Sequence, residues 1–142
     1  MPLIAIDAGH AGFGVTPGKR SPAGEYEWDF NNKVVLAVIE HLHKYKSVKI
    51  IRLDDPTGKR DVPLNERTNK ANKANADILV SVHHNANTGS WGSWTGTETY
   101  HYPGSKNGQR LAKLIHPKIL KAYGLRDRGI KTANFHILRE SK

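Results

Sequence analysis

Two apolar runs, each ending in a histidine among small residues, constrain this chain more than any other feature. The first is Ile4-Ala5-Ile6-Asp7-Ala8-Gly9-His10-Ala11-Gly12 and the second Asp77-Ile78-Leu79-Val80-Ser81-Val82-His83-His84-Asn85-Ala86. Short apolar runs bounded by turn residues read as buried strands. In an open α/β sheet, functional groups gather at the carboxyl ends of such strands. Two strands of this kind would deliver two imidazoles to one edge. Gly9 and Gly12 keep the backbone around His10 clear of side chains.

The segments between and after these runs alternate in period. Residues 3–7 read as strand, and residues 8–24, with five glycines, Pro17 and Pro22, as a loop. From Glu25 to about Tyr45, Phe30, Val34, Val35, Val38, Ile39 and Leu42 recur at helical steps. Val48 to Leu53 is a second strand, Leu64 to about Asn75 a short helix, and Asp77 to His83 a third strand. Asn85 to Ser93 is a loop in which Trp91, with Trp94 beyond it, packs on its surroundings or stacks on a sugar face. Thr95 to Tyr102 reads as strand. Ser105 to Tyr123 reads as an amphipathic helix that Pro117 kinks or interrupts and Gly124 ends. Residues 125–132 read as a basic loop and Ala133 to Leu138 as a last strand. Strands alternating with helices predict an α/β fold, a twisted, mostly parallel sheet flanked by helices. The length of 142 residues fits a single domain over 1–142.

Composition narrows the chemistry. With no cysteine there is no disulfide and no thiolate metal site, so any zinc must be held by histidine and carboxylate. No apolar stretch approaches the ~20 residues of a membrane span, and the N-terminus lacks the basic and apolar regions of a secretory signal. The net charge of +9 points to a polyanion, either nucleic acid or an anionic polymer at a cell surface. No helix-turn-helix, zinc-finger or RNA-binding motif supports nucleic acid. A carboxylate beside the two histidines is available in the first turns of the helix that follows the His10 loop, at Glu25 or Glu27. His-Glu-His plus water is a catalytic zinc set, suited to amide or ester hydrolysis.

Asp7 to Gly12, the Glu27-Trp28-Asp29-Phe30-Asn31 segment and Ser81 to Ala86 resemble the motifs of zinc-dependent N-acetylmuramoyl-L-alanine amidases of the type-3 family. Weaker similarity runs through Leu64 to Asp77, Gly96 to Tyr100 and Phe135 to Glu140, so it covers the chain in order. The resemblance implies the type-3 amidase fold and zinc (Zn2+) held by His10, Glu27 and His83. It favours Glu27 over Glu25 because the family's ligand stands four residues before an asparagine, as Glu27 does before Asn31. His83, not His84, matches its Ser-x-His-x-Asn pattern. The implied substrate is peptidoglycan, cut between N-acetylmuramic acid and L-alanine, with Asn85 and Glu98 as candidate substrate-binding residues.

The same resemblance puts the family's catalytic glutamate on a strand beyond the part matching Phe135 to Lys142. The chain is therefore expected to lack that final strand and helix and to hydrolyse weakly, with Glu140 as a stand-in base. A non-catalytic, zinc-containing cell-wall-binding domain is the alternative. The resemblance is strongest to phage endolysins and Bacillus-type lytic enzymes made in the cytoplasm and acting on the wall after release.

Overall fold

The computed structural model describes residues 1–85 and 89–142; Ala86, Asn87 and Thr88, part of the loop expected after His83, lie outside the described residues. The chain divides into two compact units, residues 1–91 with 141–142, and residues 92–140.

The first unit is built around β1 (Leu3–Ala8), the middle strand of a parallel sheet ordered β2-β1-β3, with β2 at Lys49–Arg52 and β3 at Ile78–Val82. Ile4 lies opposite Ile50 on one side and Ile78 on the other. Side chains of a strand alternate between faces, and β1 uses both. Ile6 and Ala8 pack with Trp28 and Val35 of helix α1 (Glu27–Leu42). On the other face Ala5 packs with Leu53 and with Ala71 of helix α2 (Leu64–Lys73). Asp7 shares the α2 face with Ala5, which puts a carboxylate where an all-apolar strand would place another methyl group. Both helices thus cover the strand that leads into His10.

Helix α1 begins at Glu27 and not at Glu25. Tyr26 forms an antiparallel bridge with Arg20, and the Glu27 amide donates to the Lys19 carbonyl at 2.9 Å. This pairing holds residue 26 extended, at φ −86° and ψ 140°, so the first helical residue is Glu27.

The second unit holds a parallel pair, β4 (Thr97–His101) and β5 (Asp127–Thr132), joined by helix α3 (Lys106–Tyr123). Ser105 caps α3 by accepting the Gly108 amide at 3.0 Å, and Gly124 ends it in the left-handed region at φ 63°. Helix α3 runs uninterrupted through Pro117, contrary to the interruption expected there. Pro117 lies on the exposed side, where water can satisfy the carbonyl that a proline leaves without a donor.

Two other expectations are corrected. Residues 127–132, expected within a basic loop, form β5, because pairing with β4 supplies what their own pattern lacks. Lys131 and Arg128 reach across to Glu98 at 2.7 and 3.2 Å. Residues 133–138, expected as a strand, instead lead into a single helical turn, α4 (His136–Arg139), after an extended Phe135. Arg139 donates back to the Asn134 carboxamide oxygen at 3.0 Å and closes that turn. Among the described residues every strand pairing is parallel, and no helix is long and apolar enough to cross a membrane.

Candidate metal centre

His10, Glu27 and His83 meet at one place. One ligand atom from each lies within 4.8 Å of the others, and among the described residues no other such group of three occurs. Glu27 Oε1 is 2.9 Å from His83 Nδ1, and Glu27 Oε2 is 3.4 Å from His10 Nε2. The imidazole rings stand edge to face, 5.0 Å apart at 85°. Ligand atoms about 2.1 Å from a tetrahedral zinc lie roughly 3.4 Å from one another, so the spacing and the N, N, O donor set could hold that ion. Glu27 is 7% exposed, and burial alone would raise its carboxyl pKa. Hydrogen bonds and positive charge from His10 and His83 outweigh that and hold it well below the usual carboxylate range.

Each member is fixed by backbone before it is fixed by its neighbours. Glu27 is the first residue of α1, where the helix dipole favours a negative charge. His10 has φ 67°, a left-handed conformation that costs a non-glycine residue about 1–2 kcal/mol. Arg67 holds it there. This side chain is 2% exposed and uses all five of its N–H groups. It donates to the carbonyls of Val62, Ala8 and His10 at 2.8, 3.0 and 3.0 Å, and to Asp7 Oδ1 and Asp61 Oδ1 at 2.7 and 3.2 Å. Asn31, one turn beyond Glu27, donates to the Gly9 carbonyl at 3.0 Å, and its Oδ1 is 2.8 Å from His84 Nδ1. The Gly9 amide donates to the Val82 carbonyl at 3.0 Å, tying the two ligand-bearing segments together.

A further carboxylate, buried Asp54, braces the same corner. It accepts the Ala8 amide at 3.1 Å, Trp28 Nε1 at 3.1 Å and Arg52 Nη2 at 2.7 Å. Burial would raise its pKa, but these donors, Arg52 foremost, keep it below the normal aspartate value. Sequence reasoning missed Arg67 and Asp54. The available signal was a charged residue inside or just after an element, with no surface partner at helical spacing.

Gly9 is required here for space. A Cβ built on it would overlap the His83 ring. Gly9→Ala is therefore expected to displace that imidazole and weaken zinc binding by about 10-fold or more, with far-UV circular dichroism unchanged. Zinc competition against a chromophoric chelator checks this, and an undiminished affinity would contradict the placement of His83.

The other candidates fall elsewhere. Glu25 is exposed and takes the Ser21 hydroxyl at 3.2 Å. The two adjacent histidines diverge, His84 turning to Asn31. Burial pushes the His84 pKa down, with Glu27 opposing and His83 reinforcing. Asn85 is exposed, two residues beyond His83. Glu98 and Glu140 belong to the second unit. Lys131 holds the Glu98 carboxyl below its usual range, and Glu140 Oε1 accepts Arg139 Nε at 2.7 Å. Trp91 is 73% exposed and Trp94 43% exposed, so neither ring is packed into a core.

Comparison with known proteins identifies the family of the chain. A family model described as N-acetylmuramoyl-L-alanine amidase matches residues 4–142. The chain is 39% identical over 145 residues to the N-acetylmuramoyl-L-alanine amidase CwlM of Bacillus licheniformis, covering 99% of this chain and 53% of that protein. It is 38% identical over 151 residues to the endolysin of Bacillus phage SPP1, covering 98% of this chain and 50% of that protein. The crystal structure of an N-acetylmuramoyl-L-alanine amidase from Clostridium difficile 630 superposes with a TM-score of 0.86 at 32% identity, covering 99% of this chain and 74% of that one. The chain thus spans about half the length of the curated relatives it matches. With parallel sheets flanked by helices, a clustered His-Glu-His set and a family match running from Ile4 to Lys142, the chain belongs to the N-acetylmuramoyl-L-alanine amidase family.

Proposed function

We propose that residues 1–142 form one zinc-dependent amidase catalytic domain. It acts on the peptidoglycan amide that joins the lactyl group of N-acetylmuramic acid to L-alanine. The observation that carries this reading is the convergence of His10, Glu27 and His83. The family match supports it by running through both compact units. Zinc held by these three residues would polarise the scissile carbonyl and lower the pKa of a bound water to roughly 7. The chain's own residues set the geometry: His10 and His83 leave the carboxyl ends of the adjacent parallel strands β1 and β3 at one edge of the sheet, and Glu27 at the start of α1 lies against both. The net charge of +9 suits an anionic wall polymer. The proposed site of action is the peptidoglycan of the cell wall.

Glu27 is the one carboxylate of the cluster, and a metal ligand cannot also serve freely as the base. General acid–base assistance contributes about 10²–10⁴-fold to reactions of this kind. Hydrolysis by these 142 residues is therefore expected to be slow, with Asn85 and Glu98 as the substrate contacts to test and Glu140 as the base to test. Chromatography of muropeptides released from purified walls, with zinc and after chelation, checks this. Slow release abolished by chelation supports the amidase. Stoichiometric zinc and wall binding with no release at all would favour a zinc-containing binding domain, the second reading that a lone carboxylate allows. Release that is fast and indifferent to Glu140→Gln would refute the account of the base.

A further inference from the structure

The geometry around His83 extends beyond the three clustered residues and decides which of its nitrogens is free. Asp7 and Arg67 form an ion pair at 2.7 Å, each 2% exposed. The second oxygen of Asp7, Oδ2, lies 2.6 Å from Ser81 Oγ. Ser81 Oγ in turn lies 3.2 Å from His83 Nε2. With a cation between Glu27 and His83, proton bookkeeping along this line has one solution. An ionised carboxylate only accepts, and a hydroxyl has a single hydrogen to give. Ser81 gives that hydrogen to Asp7. Its oxygen can then only accept from His83, so Nε2 carries the N–H. Nδ1, 2.9 Å from Glu27 Oε1, is on the cluster side of the ring, so its lone pair is the one that would face an ion held there.

We infer that Ser81, held by the buried Asp7–Arg67 pair, is a positioning residue that locks His83 as its Nε2–H tautomer and so commits Nδ1 to the metal. This rests on the zinc reading above and adds to it a specific nitrogen and a specific outer partner. The line starts inside the fold, on the α2 face of β1, and ends at the metal cluster. Ser81 alternates with its neighbours on β3 so that its hydroxyl shares the Asp7 side, in the register that pairs Asp7 with Ser81. The same Arg67 guanidinium also holds the carbonyl of His10. One buried cation therefore orients both imidazoles, His10 through the backbone and His83 through Asp7 and Ser81. Outer partners of metal-bound histidines work this way, fixing ring orientation and tautomer.

The test measures zinc affinity by chelator competition and His83 protonation by long-range 1H–15N correlation on the 142-residue chain. In the zinc-loaded wild type, the expected signature is a metal-bound Nδ1 and a protonated Nε2; the reverse assignment overturns the inference without any variant. Ser81→Ala is expected to weaken zinc binding by about 10–100-fold while the circular dichroism spectrum persists. Ser81→Thr, which keeps the hydroxyl, is expected to restore most of the affinity. Equal affinity and an unchanged nitrogen signature in Ser81→Ala would defeat the proposal while leaving the metal site intact. A wild-type chain that binds no zinc would defeat both this inference and the function on which it rests.

Discussion

Replacing His83 with alanine is expected to abolish stoichiometric zinc binding by this chain, and Glu27→Ala is expected to do the same. Each removes one of three donors, so the loss should exceed the roughly 10–100-fold that follows removal of an outer partner. Glu25→Gln is the matched control, since Glu25 is exposed and bonded to Ser21. It alters the charge of the same segment and should leave affinity unchanged. A second readout follows from linkage. A ligand at a hundredfold excess over its Kd stabilises the folded state by about 2.7 kcal/mol, which for a chain of this size is a rise in Tm of roughly 5–10 °C. Wild type and Glu25→Gln should show that rise with zinc; His83→Ala and Glu27→Ala should not. Zinc protection that survives His83→Ala would place the ion elsewhere.

Arg67→Ala should be the most destabilising single substitution outside the cluster. It leaves the Asp7 carboxylate buried without its cation and removes the donors to Val62, Ala8 and His10. Breaking a buried ion pair from one side costs about 3–5 kcal/mol, a large part of the 5–15 kcal/mol that holds a typical domain together. Arg67→Lys should recover little, because an ammonium cannot reproduce a planar fork that serves five acceptors. Arg67→Met with Asp7→Leu should recover more of the stability, because no charge is then left unpaired, yet it should not restore the hold on His10. Urea unfolding with zinc chelated measures all three. A loss under about 1 kcal/mol for Arg67→Ala would mean that the guanidinium is not the brace described here.

Much of the first unit is legible in the sequence because its signals are local. Ile4 to Ala8 and Ile78 to Val82 are apolar enough to declare themselves as strands, and each is followed within two residues by its histidine. The choice between Glu25 and Glu27 is different. It turns on a backbone bridge between Arg20 and Tyr26 that fixes where α1 begins, and hydrophobic periodicity does not encode such a bridge. Arg67 is likewise one of 22 Lys and Arg residues in the chain. Only the fold shows that its partner, Asp7, lies 60 residues away on the strand it covers. In β5 only Ile130 is strongly apolar, so its strand character comes from pairing with β4 and from Glu98 opposite Arg128 and Lys131. The Phe135-His136-Ile137-Leu138 segment failed in the opposite sense. Its apolar content imitates a strand, while Arg139 bonding back to Asn134 winds it into a turn of helix.

The central place of β1 has a consequence for biosynthesis. Its partner on one side, β3, lies 74 residues downstream, Ile78 standing opposite Ile4. At typical ribosomal speeds of about 5–20 residues per second, the nascent chain carries its first strand with that edge bare for about 4–15 s. The segment that finally covers it is also the one that delivers the second imidazole. During translation, closing the sheet and bringing His83 to His10 and Glu27 are therefore a single event.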